Sequence, residues 1–518
     1  MPMVKESAKP PRGFVFTTTP HLMPACQVLV HNPVLQNGLR AIYTRIFCVK
    51  NPDVPGGYSV CPEPSRPKIF STLHKLRDSI VRNTVVPDVV PLQDVPSMYI
   101  GRKKQVYERA YNSLCETPVN RTDSYIRAFT KKEKLVVSAG VDSVLSPAQL
   151  DSKDPRIIQP RNPRYNLELA SYLKTLEHRL FQAIDHTYGA TTVFKGLNAV
   201  EQGTKLAEAW TTVRNPVGIR MDFKRFDQHV SREALEFEHS FYVNCYRKLR
   251  QLGRKVNIKQ LKMLLSWQLD NNCVLRVPEG TIRYRTRGKR MSGDNNTGLG
   301  NVVLVCTMFL LFLKTVGIPI SKCRLVNNGD DCCLIIDQKW QAAVLKHLQP
   351  YFLQYGFEID VEGVSTQLED IRFCQCNPVE VRPGEWIMVR DLDVSRVKDA
   401  INLKPMPTKE SHDVWRSQIA GCGLALTSGI PVMQEFYLAL ARGVDPTRSG
   451  DYVTGMDFLA HGLVARVHTP TDTARISFFS AFGITPDEQL QLERHYRGLV
   501  VKYQVDQPVD HTDGSVWL

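Results

Sequence analysis

A hairpin signal in residues 323–336, CRLVNNGDDCCLII, constrains the fold of this chain more than any other short stretch. Apolar runs flank Asn328 and Gly329, and both residues tolerate positive φ, which predicts a tight turn between two strands. The neighbouring carboxylates Asp330 and Asp331 therefore lie at or beside the turn. Aspartate is also a common turn residue that bonds nearby backbone. This stretch alone leaves a structural role and a catalytic role open.

A second stretch, PVGIRMDFKRFDQHVS at residues 216–231, places two more carboxylates near a strand end. The alternation of apolar residues from Val217 to Met221 predicts a strand, and Asp222 comes where that strand ends. Ser231 has the place of an N-cap for the helix that follows. Asp222 and Asp227 therefore bracket a strand-to-helix connection, where carboxylates also serve as ordinary caps.

Residues 281–314 join a basic strand, a loop of small residues and an apolar helix. Ser292 and Gly293 belong to the loop, while Thr297 and Asn301 are four residues apart and share one helix face. The cations alternate along the strand and share one face: Arg283, Arg285, Arg287 and Lys289. Such a row favours an anion opposite it, although a solvated surface gives the same pattern.

The apolar run Val302–Leu313 is too short to cross a membrane, which takes about 20 residues. It predicts a buried core helix, and Gly298 and Gly300 at its start allow close backbone approach. The first 20 residues lack the apolar core of a signal peptide. We therefore expect no membrane anchor within this sequence.

The chain carries 66 Lys and Arg against 52 Asp and Glu, a formal net charge of +14. This excess favours a polyanionic partner, either nucleic acid or an anionic membrane surface. Thirteen cysteines without CxxC pairs predict reduced thiols in a cytosolic setting. The cysteines also lack histidines at zinc-finger spacing, which argues against a structural metal site.

Residues 154–165 carry three arginines in a proline-broken stretch before a helix expected to begin near Asn166. These are Arg156, Arg161 and Arg164. A guanidinium fork matches the geometry of phosphate oxygens, so the arginines are candidates to hold a triphosphate. A charged surface loop is the alternative.

Together these pieces suit nucleotidyl transfer, which needs metal ions at the reacting oxygens and cations around the triphosphate. Asp222 and Asp330 would hold two Mg²⁺ ions, with Asp331 assisting. A site that joins ribonucleotides must also recognise the 2′-hydroxyl. The polar residues suited to that task are Asp227, Ser292, Thr297 and Asn301.

At this point the sequence resembles the RNA-dependent RNA polymerases of positive-strand RNA viruses, most closely those of the tombusviruses. The motifs stand in family order as PRIIQPRNPRYN, RMDFKRFDQHVS, GKRMSGDNNTGLGN, NNGDD and RFCQCNPV. Upstream, YIGRKKQVYERAYNSL and AFTKKEK also look like that group. The resemblance runs from about residue 98 to 390 and is weaker beyond.

The resemblance implies an α+β fold, a right-hand polymerase whose antiparallel palm sheet is flanked by helices and which finger loops close. The implied parts are an N-terminal segment on fingers and thumb (1–97), fingers (98–214 and 233–285, with a basic nucleotide-entry loop at 153–165), palm (215–232 and 286–390) and thumb (391–518).

The resemblance also implies roles for individual residues. Metal binding and catalysis fall to Asp222, Asp330 and Asp331, with two Mg²⁺ ions for which Mn²⁺ can substitute. The ribose would be held by Asp227, Ser292, Thr297 and Asn301, and the triphosphate by Arg156, Arg161 and Arg164. The residues expected to contact RNA are Lys132, Lys134, Arg283, Arg285, Arg287, Lys289, Gly293 and Cys374. No lysine is assigned as general acid, because Lys346 lies in a separate predicted helix.

The implied partners are template and product RNA, ribonucleoside triphosphates and a viral auxiliary membrane-anchoring replication protein. The implied location is the host cytoplasm, at membrane-associated replication complexes reached through that partner or an upstream segment. Two other hypotheses stay open at this point. One is a non-catalytic RNA-binding scaffold with the same fold. The other is a reverse transcriptase, which the polar Asp227 disfavours because a bulky group there would select deoxynucleotides.

Overall fold

A computed structural model describes residues 2–23, 26–55, 57–139, 153–448, 455–509 and 515–517. Its α-helices are α1 (Leu35–Ile42), α2 (His74–Asn83), α3 (Gly101–Glu116), α4 (Pro163–Tyr188), α5 (Ala199–Thr211), α6 (Phe226–His229), α7 (Arg232–Gln251), α8 (Ile258–Ser266), α9 (Thr297–Thr315), α10 (Gln341–Gln354), α11 (Leu392–Ala400), α12 (Lys409–Leu426), α13 (Met433–Ala441), α14 (Asp472–Phe482) and α15 (Pro486–Gly498).

The strands are β1 (Met3–Glu6), β2 (Phe14–Thr18), β3 (Cys26–His31), β4 (Cys48–Lys50), β5 (Tyr58–Val60), β6 (Ile126–Thr130), β7 (Lys134–Ala139), β8 (Ile157–Ile158), β9 (Pro216–Phe223), β10 (Asp270–Val277), β11 (Gly280–Arg287), β12 (Cys323–Asn328), β13 (Asp331–Asp337), β14 (Ile359–Ser365), β15 (Cys376–Arg382), β16 (Glu385–Arg390), β17 (Ile401–Asn402), β18 (Gln507–Val509) and β19 (Ser515–Trp517). The mixed α+β content that the sequence predicts is confirmed.

A four-stranded antiparallel sheet in the order β12-β13-β9-β14 lies at the centre. Its apolar side chains, such as Ile219 and Leu334, are fully buried in the same core as helix α9. That helix is long and apolar enough to cross a membrane, but 78% of its apolar window is buried inside the protein. The prediction of a buried core helix at Val302–Leu313 is confirmed.

The hairpin between β12 and β13 turns one residue later than the sequence predicts. Asn328 is still a strand residue and pairs with Asp331, so Gly329 and Asp330 form the turn. Gly329 has φ +88°, a conformation that glycine adopts without steric cost. The Asn327 side chain donates to the Gly329 carbonyl (2.7 Å) and accepts from its amide (3.1 Å), which fixes the turn at this position.

The predicted strand-to-helix connection after β9 is confirmed. Ser231 is the N-cap of α7, and its hydroxyl accepts a hydrogen bond from the Ala234 amide at 3.1 Å. Between strand and helix, Arg225 has φ +46°, and the short helix α6 carries Asp227.

A five-stranded sheet in the order β1-β11-β10-β6-β8 stands beside the central sheet. Ile282 and Tyr284 on its inner face are buried against α1, while three arginines of β11 are exposed on its outer face. The predicted cation row is therefore confirmed for Arg283, Arg285 and Arg287. It is wrong for Lys289, which lies beyond the end of β11 at φ +69° and pairs with Glu63 at 3.7 Å.

Helix α4 begins at Pro163, three residues before the predicted start near Asn166. The Asn162 side chain accepts from the Arg164 amide at 3.0 Å and caps the helix. Proline suits the first helical position because its missing N–H has no intrahelical partner there. Arg164 consequently stands in the first helical turn and not in a loop.

The first strands join distant parts of the chain. Strand β1 pairs with β11, and β3 pairs with β7. Strand β2 pairs with both β17 and β18 from the C-terminal third. The N-terminal residues therefore bridge the five-stranded sheet and the C-terminal helical region.

Candidate active site

Four aspartates gather at one end of the central sheet. Asp222 near the end of β9 is the cross-strand partner of Asp331 at the start of β13. Asp330 occupies the turn that precedes Asp331, and Asp227 lies on α6 just after β9. The pairing of β9 with β13 therefore unites carboxylates that are about a hundred residues apart in the sequence.

These carboxylates are partly removed from water, and each repels the others. The pKa of Asp222 is raised to about 6, mainly by loss of hydration and further by the negative charges of Glu362 and Asp330. The pKa of Asp331 is likewise raised to about 6, mainly by loss of hydration and further by the charges of Asp330 and Asp222. Burial also raises the pKa of Asp330, which the charges of Arg156 and Lys195 oppose. The cluster thus holds excess negative charge that a bound cation would offset.

The donor chemistry of this cluster fits a hard divalent cation. Among the residues that the structure describes, no three or more His, Cys, Asp or Glu side chains converge into a closed metal cage. Magnesium in nucleotidyl-transfer sites typically uses one or two carboxylates, with water and substrate phosphates completing its shell. An open set of carboxylates from Asp222, Asp330 and Asp331 provides such ligands.

A basic cavity opens on one side of the Asp330 turn. Its charged lining consists of Arg45, Arg156, Arg225, Asp227, Lys289, Arg290 and Asp330. The pKa of Arg45 is lowered to about 10, mainly by burial and further by repulsion from Arg225 and Arg156. The cations therefore crowd one another, which a polyphosphate between them would relieve.

Of the three arginines predicted to hold a triphosphate, only Arg156 lines this cavity. Arg161 is buried and ion-paired with Asp294. Arg164 pairs with Asp123 at 3.1 Å. Those two arginines hold the loops that surround the cavity, and the structure does not bring them to its lining.

Arg45 and Arg225 take the place of those two arginines in the cavity, and the sequence reasoning missed both. The Arg225 guanidinium donates to the carbonyl of Thr44 and to Asp154 Oδ2 (2.5 Å), which ties the N-terminal helix region to the cavity. In the sequence, Arg225 lies between the two candidate site residues Asp222 and Asp227, and this position could have identified it as a residue of the site. Arg45 lies in a π-helical segment (Tyr43–Phe47) that follows α1 and carries no local motif.

Three of the four predicted ribose residues come together. Asp227 and Ser292 line the basic cavity. The Asn301 amide donates to Asp227 Oδ1 at 3.3 Å. Burial and Asp330 raise the pKa of Asp227 to about 6. The Thr297 hydroxyl instead donates to the Met291 carbonyl (3.1 Å) and stabilises the loop that contains Ser292 and Gly293.

A buried ion pair lies behind these residues. Arg290 and Glu238 contact each other with both side chains buried, and the Arg290 Nε donates to Asn301 Oδ1 at 3.2 Å. A Cβ at Gly300 would stand 2.3 Å from the Arg290 guanidinium, so the glycine makes room for this pair. Gly298 likewise accommodates the Lys195 side chain. The close approach predicted for both glycines is to side chains and not to backbone.

A second cavity lies on the other side of the hairpin. Its lining includes Asp222, Asp331, Glu362, Arg372 and Cys374. The Cys374 thiol is 3.7 Å from Asp331 Oδ2, and Cys374 has φ +50° in a tight turn before β15. The carboxylate hairpin therefore stands between two clefts.

The other predicted RNA contacts are dispersed. The Lys132 amine donates to the Leu403 carbonyl (2.9 Å), and the Lys134 amine donates to the Ile401 carbonyl (2.6 Å). Burial lowers the pKa of each of these lysines to about 8. They join the fold to its C-terminal third. At Gly293, a Cβ would stand 2.6 Å from the Pro160 backbone, so this glycine permits contact between two loops.

The family described as viral RNA dependent RNA polymerase matches residues 4–504. The match covers nearly the whole chain, and the chain belongs to this family. The family resemblance predicted from the motifs is confirmed.

Three relatives, each named RNA-directed RNA polymerase, illustrate the similarity. The protein of Tobacco necrosis virus (strain A) is 38% identical over 471 residues, which cover 90% of this chain and 61% of that protein. The Turnip crinkle virus protein is 37% identical over 480 residues, 91% of this chain and 58% of that protein. The Tomato bushy stunt virus (strain Cherry) protein is 38% identical over 467 residues, 90% of this chain and 54% of that protein. The chain thus spans little more than half the length of these relatives.

Proposed function

We propose that this chain is an RNA-dependent RNA polymerase that copies the genome of a positive-strand RNA virus. The single observation that carries the proposal is the cross-strand pairing of Asp222 with Asp331, beside Asp330 and between two clefts. The family match and the names of the relatives support the same activity.

The proposed right-hand fold assigns the central antiparallel sheet to the palm. The palm segments are 215–232 and 286–390, the fingers are 98–214 and 233–285, and the thumb is 391–518. Residues 1–97 would close the hand, which the pairing of β1 with β11 and of β2 with β17 supports.

In the proposed reaction the incoming ribonucleoside triphosphate occupies the basic cavity. Arg45, Arg156 and Arg225 bind its phosphates, because the three side chains line the same cavity and a guanidinium matches phosphate geometry. Asp227 and Ser292 receive the ribose there, with Asn301 holding the Asp227 carboxylate in place. A polar group at the 2′ position favours ribose over deoxyribose.

The 3′ end of the RNA, or an initiating nucleotide, occupies the second cavity beside Cys374. Its hydroxyl oxygen attacks the α-phosphorus, the new phosphodiester bond forms, and pyrophosphate leaves toward the arginines. Asp222 and Asp330 would hold two Mg²⁺ ions, with Asp331 assisting; when bound, such ions lower the hydroxyl pKa and neutralise the developing charge. Mn²⁺ can replace Mg²⁺ because it accepts the same oxygen donors.

Primed extension tests this proposal. Purified protein is given a poly(A) template, an oligo(U) primer, labelled UTP and Mg²⁺, beside Asp330→Ala and Asp222→Ala. Asp337→Asn at the opposite end of β13 is the matched control, since it removes a carboxylate from the same strand. We expect product from the wild type and the control only, with RNA binding retained by all variants.

No product from any variant, despite tight RNA binding, would favour the non-catalytic scaffold. Extension with labelled dTTP in place of UTP tests the reverse transcriptase hypothesis. Efficient incorporation of the deoxynucleotide would support that hypothesis and count against the proposed role of Asp227.

The polymerase is further proposed to act in the host cytoplasm at membrane-associated replication complexes, held there by an auxiliary membrane-anchoring protein or an upstream segment. The proposal comes from the family resemblance and from the burial of α9, which leaves this helix unavailable to lipid. Flotation of the chain with host membranes, alone and with candidate viral replication proteins, tests it. Flotation of the chain alone would remove the need for a partner.

A further inference from the structure

The outer face of the five-stranded sheet combines cations with exposed aromatic rings. Tyr125 directly before β6 and Phe129 on β6 are 40% and 50% exposed, and Arg127 between them is exposed as well. Alternate residues of a strand point the same way, so these three side chains share the outer face at about 6.8 Å intervals. Aromatic rings and a guanidinium therefore alternate along β6 and the residue that precedes it.

The strand register extends this pattern across the sheet. Val274 on β10 is level with Arg127 on one side and with Arg283 on the other. The last paired residues of the two strands, Leu275 and Ala128, are followed by Arg276 and Phe129. Arg285 is level with Asn272, which directly precedes Cys273, the partner of Ile126. Rings and arginines thus occupy three adjacent strands on one surface.

The described residues do not neutralise the charges on this face. Among the described residues, no side-chain hydrogen bond or ion pair involves Arg127, Arg276, Arg283 or Arg285. The acid that is level with Arg287, Asp270, is already paired with Arg232 at 2.6 Å. Like charges on adjacent strands repel, so the face has a net affinity for anions.

We propose that this face binds single-stranded RNA, with bases stacked on the two rings and phosphates paired with the arginines. We call it the RNA platform, and its residues are Tyr125, Arg127, Phe129, Arg276, Arg283 and Arg285. The proposal deepens the proposed function, on which it rests for RNA as the ligand, by adding a binding surface outside both cavities.

Two physical arguments select a single strand of RNA as the ligand. Rings stack on bases only where the base faces are exposed, which a duplex prevents, and a sheet that bears aromatics is an established geometry for such stacking. An anionic membrane would attract the arginines too, but it favours a continuous apolar patch. Here an arginine separates the rings.

The platform lies next to the basic cavity without being part of it. Strand β8 pairs with β6 along the platform edge, and its residues Ile157 and Ile158 line the cavity. The inner face of the sheet is buried against α1. RNA held on the platform would therefore be retained near the site without occupying it.

The first test replaces a ring. Phe129→Ala should weaken binding of labelled unstructured oligo(U) by about tenfold, since a stacked base is worth about 1–3 kcal/mol. Phe129→Trp should restore binding because it keeps an aromatic face. Phe479→Ala, which removes an exposed ring on α14, is the matched control. Fluorescence anisotropy without nucleotide or Mg²⁺ measures binding alone.

The second test removes charge. Arg127→Gln, Arg283→Gln and Arg285→Gln together should lower the slope of log K against log salt by about 2, because each phosphate contact to a single strand contributes about 0.7. Lys255→Gln, Lys259→Gln and Lys262→Gln remove the same charge from another exposed surface and should leave the slope nearly unchanged.

Unchanged affinity and slope in the platform variants would overturn the inference. So would loss of binding to phosphatidylserine vesicles with RNA binding intact, since that result would make the face a membrane contact. Primed extension is scored separately. If the wild-type protein extends the primer and the platform variants bind RNA normally, only the platform inference is overturned. If the platform variants bind RNA more weakly and the wild-type protein does not extend the primer, only the polymerase proposal is overturned.

Discussion

Two layers of charge on either side of Asn301 are built in opposite ways. In front, Asp222, Asp330 and Asp331 form no ion pair with another described residue, and their pKa values are raised. Behind, Glu238 is buried, yet Arg290 and His239 hold its pKa below the usual value. The rear layer is neutralised within the protein, whereas the charge of the front layer is not offset by any described cation at ion-pair distance. Stability and activity are therefore assigned to different carboxylates.

The largest expected effect is the loss of nucleotide incorporation when a carboxylate of the front layer is removed, with stability retained. Asp222→Asn should lower primed incorporation by at least about 10³-fold, since it removes charge needed at the reacting oxygens. Its melting temperature without metal should not fall and should rise by about one or two degrees, because the repulsion between Asp222 and the neighbouring carboxylates is lost. Differential scanning fluorimetry and an incorporation assay check both values. A large loss of stability would contradict the assignment.

The next effect is a loss of stability when the carboxylate of the rear layer is removed. Glu238→Ala leaves Arg290 buried without its partner, and breaking such a pair costs about 3–5 kcal/mol. Urea unfolding should show this loss of stability. Glu236→Ala on the exposed side of the same helix, where it pairs with Arg232 at 3.0 Å, should cost less than about 1 kcal/mol. Equal costs for the two variants would show that the rear pair is not structural.

The link between the layers predicts a smaller effect on sugar selection. Arg290 holds Asn301, which in turn holds Asp227. Asp227→Ala should reduce the preference for UTP over dUTP by about tenfold, the loss of about one hydrogen bond to the 2′-hydroxyl. Arg290→Lys, which keeps the charge and loses the forked geometry, should shift the preference in the same direction by less. Unchanged preference in Asp227→Ala would remove that residue from ribose recognition.

The smallest effect is on the pH dependence of stability. The pKa values of Asp222 and Asp331 are about 6 in the folded chain, above the value for an unfolded aspartate. Between about pH 4 and 6 the folded state therefore binds more protons, and these groups make the metal-free protein more stable as pH falls. The double variant Asp222→Asn, Asp331→Asn should lose this contribution. Thermal melts at a series of pH values measure the difference, and parallel curves would argue against the raised pKa values.

The carboxylates could be located from sequence because each stands at the end of a patterned strand. Alternating apolar residues fixed which strand carried Asp222, and turn residues located Asp330. The predicted position of the hairpin turn was wrong by one residue. The two hydrogen bonds between the Asn327 side chain and Gly329 that fix the turn are visible only in the structure.

The cation partners were harder to locate, because a local pattern does not reveal what a side chain faces. Arg161 and Arg164 looked like phosphate ligands, but Asp294 and Asp123 neutralise them. Arg45 reaches the cavity from a part of the chain without any motif. Neutralisation by an acid distant in sequence does not by itself identify a structural arginine, because Arg156 and Arg225 pair with Glu133 and Asp154 and still line the cavity. The position of the side chain relative to the cavity, a tertiary property, makes the distinction here.

The most direct test of the central claim is Mn²⁺ binding to the metal-free protein, measured by electron paramagnetic resonance in the presence of UTP. We expect the wild type and Asp337→Asn to sequester Mn²⁺, and Asp222→Asn and Asp330→Asn each to lose most of this binding while remaining folded. Equal Mn²⁺ binding by all four proteins would contradict the proposal that Asp222 on β9 and Asp330 in the hairpin turn form the cation site.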